Sequence, residues 1–436
     1  MAADAPSSHT KGGVMLKRFR RCFSRRKATG FFVAAALGGL LAEPAASQET
    51  VKIGAIFPLT GASSVFGNQN FQGVDIAVDL INDRGGVNGR KIALFKGDGN
   101  SPQSAISETN RLATREGVTI FIGSSTSAVG MVASQEAERN GAFYWEGMAV
   151  ANTYTERGFK FAFRMGLNAA GLGQPAPLYA AEVLAPLLKI EPKDLKIAVI
   201  AEDSAFGVDV SKAAIDQAEK LGMKIGFREL YSAKTTDLSP LVLKLRSFAP
   251  DVIIATQFIN DAILLQRQMK EMSYFPKAFV GTSAGHSTLS FAEAIGKDVN
   301  GIFSSSFPLE ANPASISETA RGDLEEFVKR YRAKYNVVPA VQESLGFVVG
   351  MGLIRDVIGK SASLSAADLR EAALKADVPT GSYINGWGMK FDDKGQNQRA
   401  FGSVVQWQDL RMVPVYPKAS KLKEPIMVPL PAWNAR

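Results

Sequence analysis

Two series of short apolar runs, each alternating with amphipathic stretches at helical spacing, follow one another along this chain. The strand-like runs of the first lie at 51–57, 91–96, 118–122, 142–145 and 160–164, with helical spacing at 103–116 and 127–140. Those of the second lie at 196–201, 224–230, 251–256, 277–281 and 301–307, with helices at 206–221, 239–248, 261–271 and 288–295. Such alternation predicts an α/β chain with parallel central sheets. At 436 residues the chain exceeds one ordinary core, so two similar, doubly wound lobes are expected. The alternation then breaks. Residues 317–335 and 341–358 read as long helices and 366–376 as a third, while 412–436 is proline-rich and has no period.

The first unit carries the most detail. Val51, Ile53, Ala55 and Phe57 alternate with Lys52 and Gly54, a strand buried on at least one face. Pro58 ends it before a small polar loop, Leu59-Thr60-Gly61-Ala62-Ser63-Ser64. From Asn68 the period changes: Phe71, Val74, Ala77, Val78 and Ile81 make one helical stripe, which Gly85-Gly86 stops. Asn88-Gly89 then sets a tight turn into the next strand.

In this order (strand, P-L-T-G loop, Phe66-Gly67 step, helix ending I-N-D-R-G-G-V-N-G-R, second strand) the sequence resembles one family, the branched-chain amino-acid-type extracellular solute-binding proteins of ABC importers. The likeness runs from about Val51 to about Trp407. It implies the type I periplasmic binding protein fold, two lobes joined by a multi-strand hinge with a ligand between them. On that pattern 48–165 opens lobe 1 and 166–310 is the main part of lobe 2. Residues 311–411 return to both, the two long helices dividing between the lobes, and 412–436 is an irregular surface tail.

Residues 1–47 have the three parts of an export signal. A basic region ends at Lys27, an apolar stretch from Gly30 to Leu41 is too short to span a bilayer comfortably, and Ala45-Ala46-Ser47 places cleavage before Gln48. A periplasmic location follows. Arg25-Arg26 resembles a twin-arginine signal, but Ala28 stands where a large apolar residue is usual, so Sec and twin-arginine export both stay open, as do Met1 and Met15 as starts. Cys22, the only cysteine, precedes the apolar stretch, so a lipoprotein is not expected and the mature chain has no thiol. The disulfide common in the resembled family would fall on Asn100 and Thr126. The net charge of +8 is concentrated at the same end: 1–47 hold eight basic and two acidic residues, leaving 42 against 40. A nucleic-acid partner therefore has no electrostatic footing.

Open α/β sheets bind ligands beyond the carboxyl ends of their strands, which makes three strand-to-helix junctions candidates. At Gly123-Ser124-Ser125-Thr126-Ser127-Ala128, hydroxyls and helix N–H groups suit either a carboxylate or plain N-capping. The resemblance implies Ser127 as the carboxylate ligand. At Trp145-Glu146-Gly147-Met148-Ala149-Val150 it aligns Met148 and Val150 with ligand-contacting positions, with Val150 where threonine is common. Glu146 reads as the partner of a ligand ammonium or amide, or as an exposed loop acid. At the third junction, Gly281-Thr282-Ser283-Ala284-Gly285 matches the G-x-S-x-G nucleophile elbow. That chemistry needs a histidine well downstream of the serine, and His286 is the last in the chain, so a hydrolase is not expected. The resembled amino-acid binders hold the ligand ammonium with an acid near Ser283, absent here. Phe66, in the first loop, and Phe206 and Phe258 each follow a strand; they either pack or close over the apolar part of a ligand.

There is no Cys/His cluster and no phosphate-binding glycine motif, so neither metal nor cofactor is expected. The sequence thus reads as a non-enzymatic, monomeric receptor for a small amino acid or related carboxylate. Its ligand set is Ser127, Glu146, Met148, Val150, Phe66, Phe206, Phe258 and Ser283, and its partner a membrane ABC permease. Amides, urea-like solutes and aromatic acids are the alternative ligands, and a ligand sensor of the same fold the alternative role.

Overall fold

The computed structural model describes residues 50–309, 313–418 and 420–436. The export-signal reading of 1–47 lies outside them. Two sheets organise the chain. The first takes β1 (Val51–Phe57), β2 (Ile92–Asp98), β3 (Ile120–Gly123), β4 (Phe143–Glu146) and β5 (Ala162–Arg164), all parallel, in the order β2-β1-β3-β4-β5. Its main helices are α1 (Ser64–Asp83), α2 (Pro102–Arg115) and α3 (Ser127–Arg139). The second takes β6 (Ile197–Glu202), β7 (Ile225–Tyr231), β8 (Val252–Thr256), β9 (Ala278–Thr282) and β10 (Phe303–Ser306), again parallel. β11 (Ser403–Gln408) and β12 (Arg411–Tyr416) extend it antiparallel, giving β12-β11-β10-β9-β8-β6-β7. Its helices include α4 (Ala205–Lys220), α5 (Ser239–Phe248) and α6 (Ile259–Glu271).

The ten strands expected from sequence are all present: β3 and β8, buried on both faces, read as nearly continuous apolar runs, and β7 reads by the alternation of half-buried and exposed residues. The turn at 87–90 forms as expected: Asn88 and Gly89 have φ of 50° and 76°, and Val87 and Arg90 exchange both backbone hydrogen bonds. Phe66 is corrected from loop to helix, since α1 starts at Ser64.

Two further expectations need correction. First, the long helices α7 (Glu318–Tyr335) and α8 (Val341–Met351) do not divide between the sheets; both pack on α1. Arg330 pairs with Asp83 and Tyr331 donates to Gln72, each at 2.6 Å. The Phe327 and Phe347 rings, 4.6 Å apart, enter the same core as Phe71 and Val74. Each such buried side chain contributes about 2 kcal/mol, enough to fix both helices on one side. Second, the tail is not wholly irregular: 411–416 is strand β12. Its remainder is docked, with Trp433 donating from Nε1 to the Tyr274 carbonyl at 2.9 Å. Residues 169–188, for which the sequence carries no expectation, are largely helical, in short pieces that include Pro175, Pro177 and Pro186.

Candidate functional site

The carboxyl ends of β3, β4, β9 and β10 lead into loops that surround one cavity. One side is Phe66 from α1, Ser125, Thr126 and Ser127 after β3, and Met148 and Val150 after β4. Facing them are Leu172, Phe206 from α4, Phe258 before α6, Ser283 and Ala284 after β9, and Phe307 after β10. Gln342 of α8 completes the wall. The Phe206 and Phe258 rings lie 5.0 Å apart, tilted by 39°. Seven of the eight residues singled out in the sequence therefore line this space.

A chain of hydrogen bonds crosses one wall. Ser125 Oγ donates to Asn70 Oδ1 at 2.8 Å, Asn70 Nδ2 donates to the Gln342 carbonyl at 2.8 Å, and Gln342 Nε2 donates to Ser283 Oγ at 3.3 Å. It ties the first-sheet loops to the second-sheet loops through α1 and α8. Ser127, the first residue of α3, accepts the Ala151 N–H on Oγ at 3.2 Å and has no other hydrogen-bond partner among the described residues. Its hydroxyl proton can thus be given to an acceptor in the cavity, beside the first N–H groups of α3.

Glu146 is the eighth residue, and its place corrects the sequence reading. It is neither exposed nor in the cavity wall. Its Oε1 accepts the N–H groups of Ser124 (2.6 Å), Gly147 (3.0 Å), Met148 (2.9 Å) and Ala149 (3.0 Å), and Oε2 accepts Ser124 Oγ at 3.1 Å. Burial pushes its pKa up, and those donors pull it back. From the other side Arg164, also buried, donates from Nη1 to the carbonyls of Ala149 (2.9 Å) and Ala151 (2.7 Å). The carboxylate and the guanidinium together fix the loop that presents Met148 and Val150. Glu146 Oε1 is filled, Oε2 holds the Ser124 hydroxyl, and the side chain is buried outside the cavity wall, so it is not placed to partner a ligand ammonium.

Ser283 opens the short turn Ser283–His286, but His286 does not reach it. His286 Nδ1 instead accepts the Thr282 N–H at 3.3 Å, and its ring packs against Phe279 and Phe291. The elbow-like sequence is a packing turn: Gly281 is required because a Cβ there would sit 2.1 Å from the His286 ring.

A second polar group lies beyond Phe258, where Tyr231 donates to Asp261 and Gln257 Nε2 donates to Tyr231 Oη at 2.7 Å. Burial pushes Asp261 up from the usual 3.8 to about 6 and pushes His286 down from 6.5 to about 3. The two act with opposite sign. Folded Asp261 keeps a proton that the unfolded chain releases, so it favours folding as pH falls from about 6 towards 4. Folded His286 refuses a proton that the unfolded chain takes, so its contribution is present above 6.5 and is lost as pH falls towards 3. Asp261→Asn should therefore steepen the loss of stability between pH 6 and 4 by about 2 kcal/mol. Urea unfolding at each pH reads this, and parallel curves for variant and parent would refute it.

Asn70, Leu172, Phe307 and Gln342 were not singled out in the sequence. No signal set Asn70 and Gln342 apart, because Asn70 stands among Asn68, Gln69 and Gln72, and Gln342 beside Glu343 and Ser344. Asn100 and Thr126, where the resembled family has its disulfide, line one recess next to the cavity. Among the described residues no helix is long and apolar enough to cross a membrane, and no group of His, Cys, Asp and Glu is placed to hold a metal.

Residues 50–410 match the model of the periplasmic binding protein family. The Leu/Ile/Val-binding protein homolog 7 of Brucella melitensis is 35% identical over 392 residues, covering 90% of this chain and 98% of that protein. The leucine binding protein LivK of Thermotoga maritima superposes with a TM-score of 0.72 at 22% identity, over 84% of this chain and 97% of that one. An ABC-transporter solute binding protein of R. palustris, in complex with benzoate, superposes with a TM-score of 0.69 at 18% identity, over 86% of this chain and all of that one.

Proposed function

This chain belongs to the periplasmic binding protein family, of the branched-chain amino-acid-binding type, and from that premise we propose that it is the solute receptor of an ABC importer. The observation that carries the reading is the convergence of Ser127, Met148, Val150, Phe66, Phe206, Phe258 and Ser283, from separate segments, on one cavity between the two sheets. A small amino acid or related carboxylate binds there. Ser127 and the first N–H groups of α3 take its carboxylate, and the phenylalanines cover its body. Leucine binding in the Thermotoga maritima protein and benzoate in the R. palustris protein support a ligand of this size and charge.

On this reading 48–165 and 166–310 are the cores of two lobes, with 311–411 shared. They close about the crossings between them, a hinge motion that ligand binding favours to the extent that the closed form binds more tightly. The closed form is what the permease recognises. Residues 1–47 direct export and are removed before Gln48, without lipid attachment, and the mature protein acts as a monomer. Thermal unfolding of the purified protein against small carboxylates tests the proposal. A ligand at a hundred times its dissociation constant adds about 2.7 kcal/mol of stability, a shift of a few degrees. Ser127→Ala should weaken that ligand tenfold or more, since a hydrogen bond to a charged group is worth about 1.5–3 kcal/mol. Unchanged affinity in that variant, or no shift with any carboxylate, would overturn it.

A further inference from the structure

We infer that the cavity selects a carboxylate whose apolar body carries no ammonium group, an aromatic or branched aliphatic monocarboxylate rather than an α-amino acid. This rests on the receptor reading above and goes beyond it. None of the thirteen residues around the cavity is Asp, Glu, His, Lys or Arg. Four buried acids flank the wall in sequence, and each is turned away and occupied. Glu146 is buried outside the wall, with four N–H groups on Oε1 and the Ser124 hydroxyl on Oε2. Glu202 accepts Ser204 N and Oγ, both at 2.7 Å. Glu343, beside Gln342, accepts Ala340 N at 2.9 Å. Asp261 accepts Tyr231 and lines a separate recess beyond Phe66 and Phe258.

An ammonium carried into this cavity would lose its water and gain no counter-charge, which costs several kcal/mol per ion. A carboxylate meets the opposite situation, with hydroxyl and N–H donors already in place. The remaining polar feature of the opposite wall is the Gln342–Ser283 pair, both neutral. It can accept or donate to a hydroxyl or oxo substituent, so the class includes neutral-substituted acids. Phe206, Phe258 and Phe307 provide flat apolar walls for a ring or a branched chain.

Calorimetric titration of the purified protein with matched pairs tests this: 3-phenylpropanoate against phenylalanine, and 4-methylpentanoate against leucine. The expected result is that one acid binds at least 100-fold more tightly than its amino-acid counterpart. An amino acid that binds as well as its acid overturns the inference and leaves the receptor reading standing. Binding of no member of either pair overturns both. A Gln342→Glu variant adds the missing counter-charge and should move the acid-to-amino-acid preference at least tenfold towards the amino acid; an unmoved ratio would show that charge is not what excludes ammonium. Asp261→Asn should leave the ratio unchanged. Selective loss of amino-acid binding in that variant would instead place an ammonium site in the outer recess, against the inference.

Discussion

Alanine in place of Glu146 is expected to lower the stability of the protein by about 3–5 kcal/mol, whereas glutamine costs less than about 1.5 kcal/mol. The difference follows from what one oxygen does. Glu146 Oε1 receives four backbone N–H groups, those of Ser124, Gly147, Met148 and Ala149, in a place without access to water. Alanine leaves all four without an acceptor, and removes one of the acids that act on the buried Arg164 guanidinium. Glutamine keeps a carbonyl oxygen at the Oε1 position, and its amide can donate to Ser124 Oγ where Oε2 now accepts. Denaturant midpoints at constant m-value read the two costs. Ligand affinity separates this role from that of a binding acid. A structural Glu146 predicts that glutamine retains binding, because Met148 and Val150 stay in place. A Glu146→Gln variant of full stability that no longer binds ligand would return the residue to the ligand set.

Glu146 also shows where reading the sequence stops. Its position after a strand was visible, and so was its acid chemistry. What the carboxylate touches depends on a loop that curls back by three residues, and no periodicity encodes that curl. The central strands were legible because burial on both faces leaves little freedom of composition, and β7 was legible by its alternation. The hairpin of β11 and β12 was not. Its two-residue turn holds Asp409 and Leu410 at φ of 51° and 60°, the left-handed geometry that Asn88 and Gly89 adopt in the readable turn. Leucine gives no hint of such a turn, and Pro414 within β12 argued against a strand, although an edge position tolerates it. The cavity was legible at its strand-to-loop junctions, where position relative to a sheet edge implies function. Gln342 was not, because it reaches the cavity only through the packing of α8 on α1, and the two partners are 272 residues apart in sequence.

That packing has a consequence larger than any single wall residue. Gly346→Ala is expected to cost about 3 kcal/mol or more, at the upper end for overpacking. A Cβ at Gly346 would lie 2.1 Å from the Asn70 carbonyl oxygen, and one at Gly73 would lie 2.0 Å from the Glu343 carbonyl oxygen. These obstacles are backbone on both sides, so no rotamer change relieves them, and α1 and α8 must separate. Asn70 and Gln342 are joined across this crossing at 2.8 Å, so the separation also draws Gln342 from Ser283 and widens the cavity. Ligand affinity should then fall at least tenfold at temperatures where the variant is still folded. The same substitution at Gly322, exposed on α7 with nothing within 4 Å of the new Cβ, provides the control. There alanine removes backbone freedom from the unfolded chain and should stabilise by up to about 1 kcal/mol. Opposite signs at Gly346 and Gly322 are the expected result, read as melting temperatures. A loss of similar size at both would mean that helix propensity, and not the close approach of α1 and α8, decides the outcome.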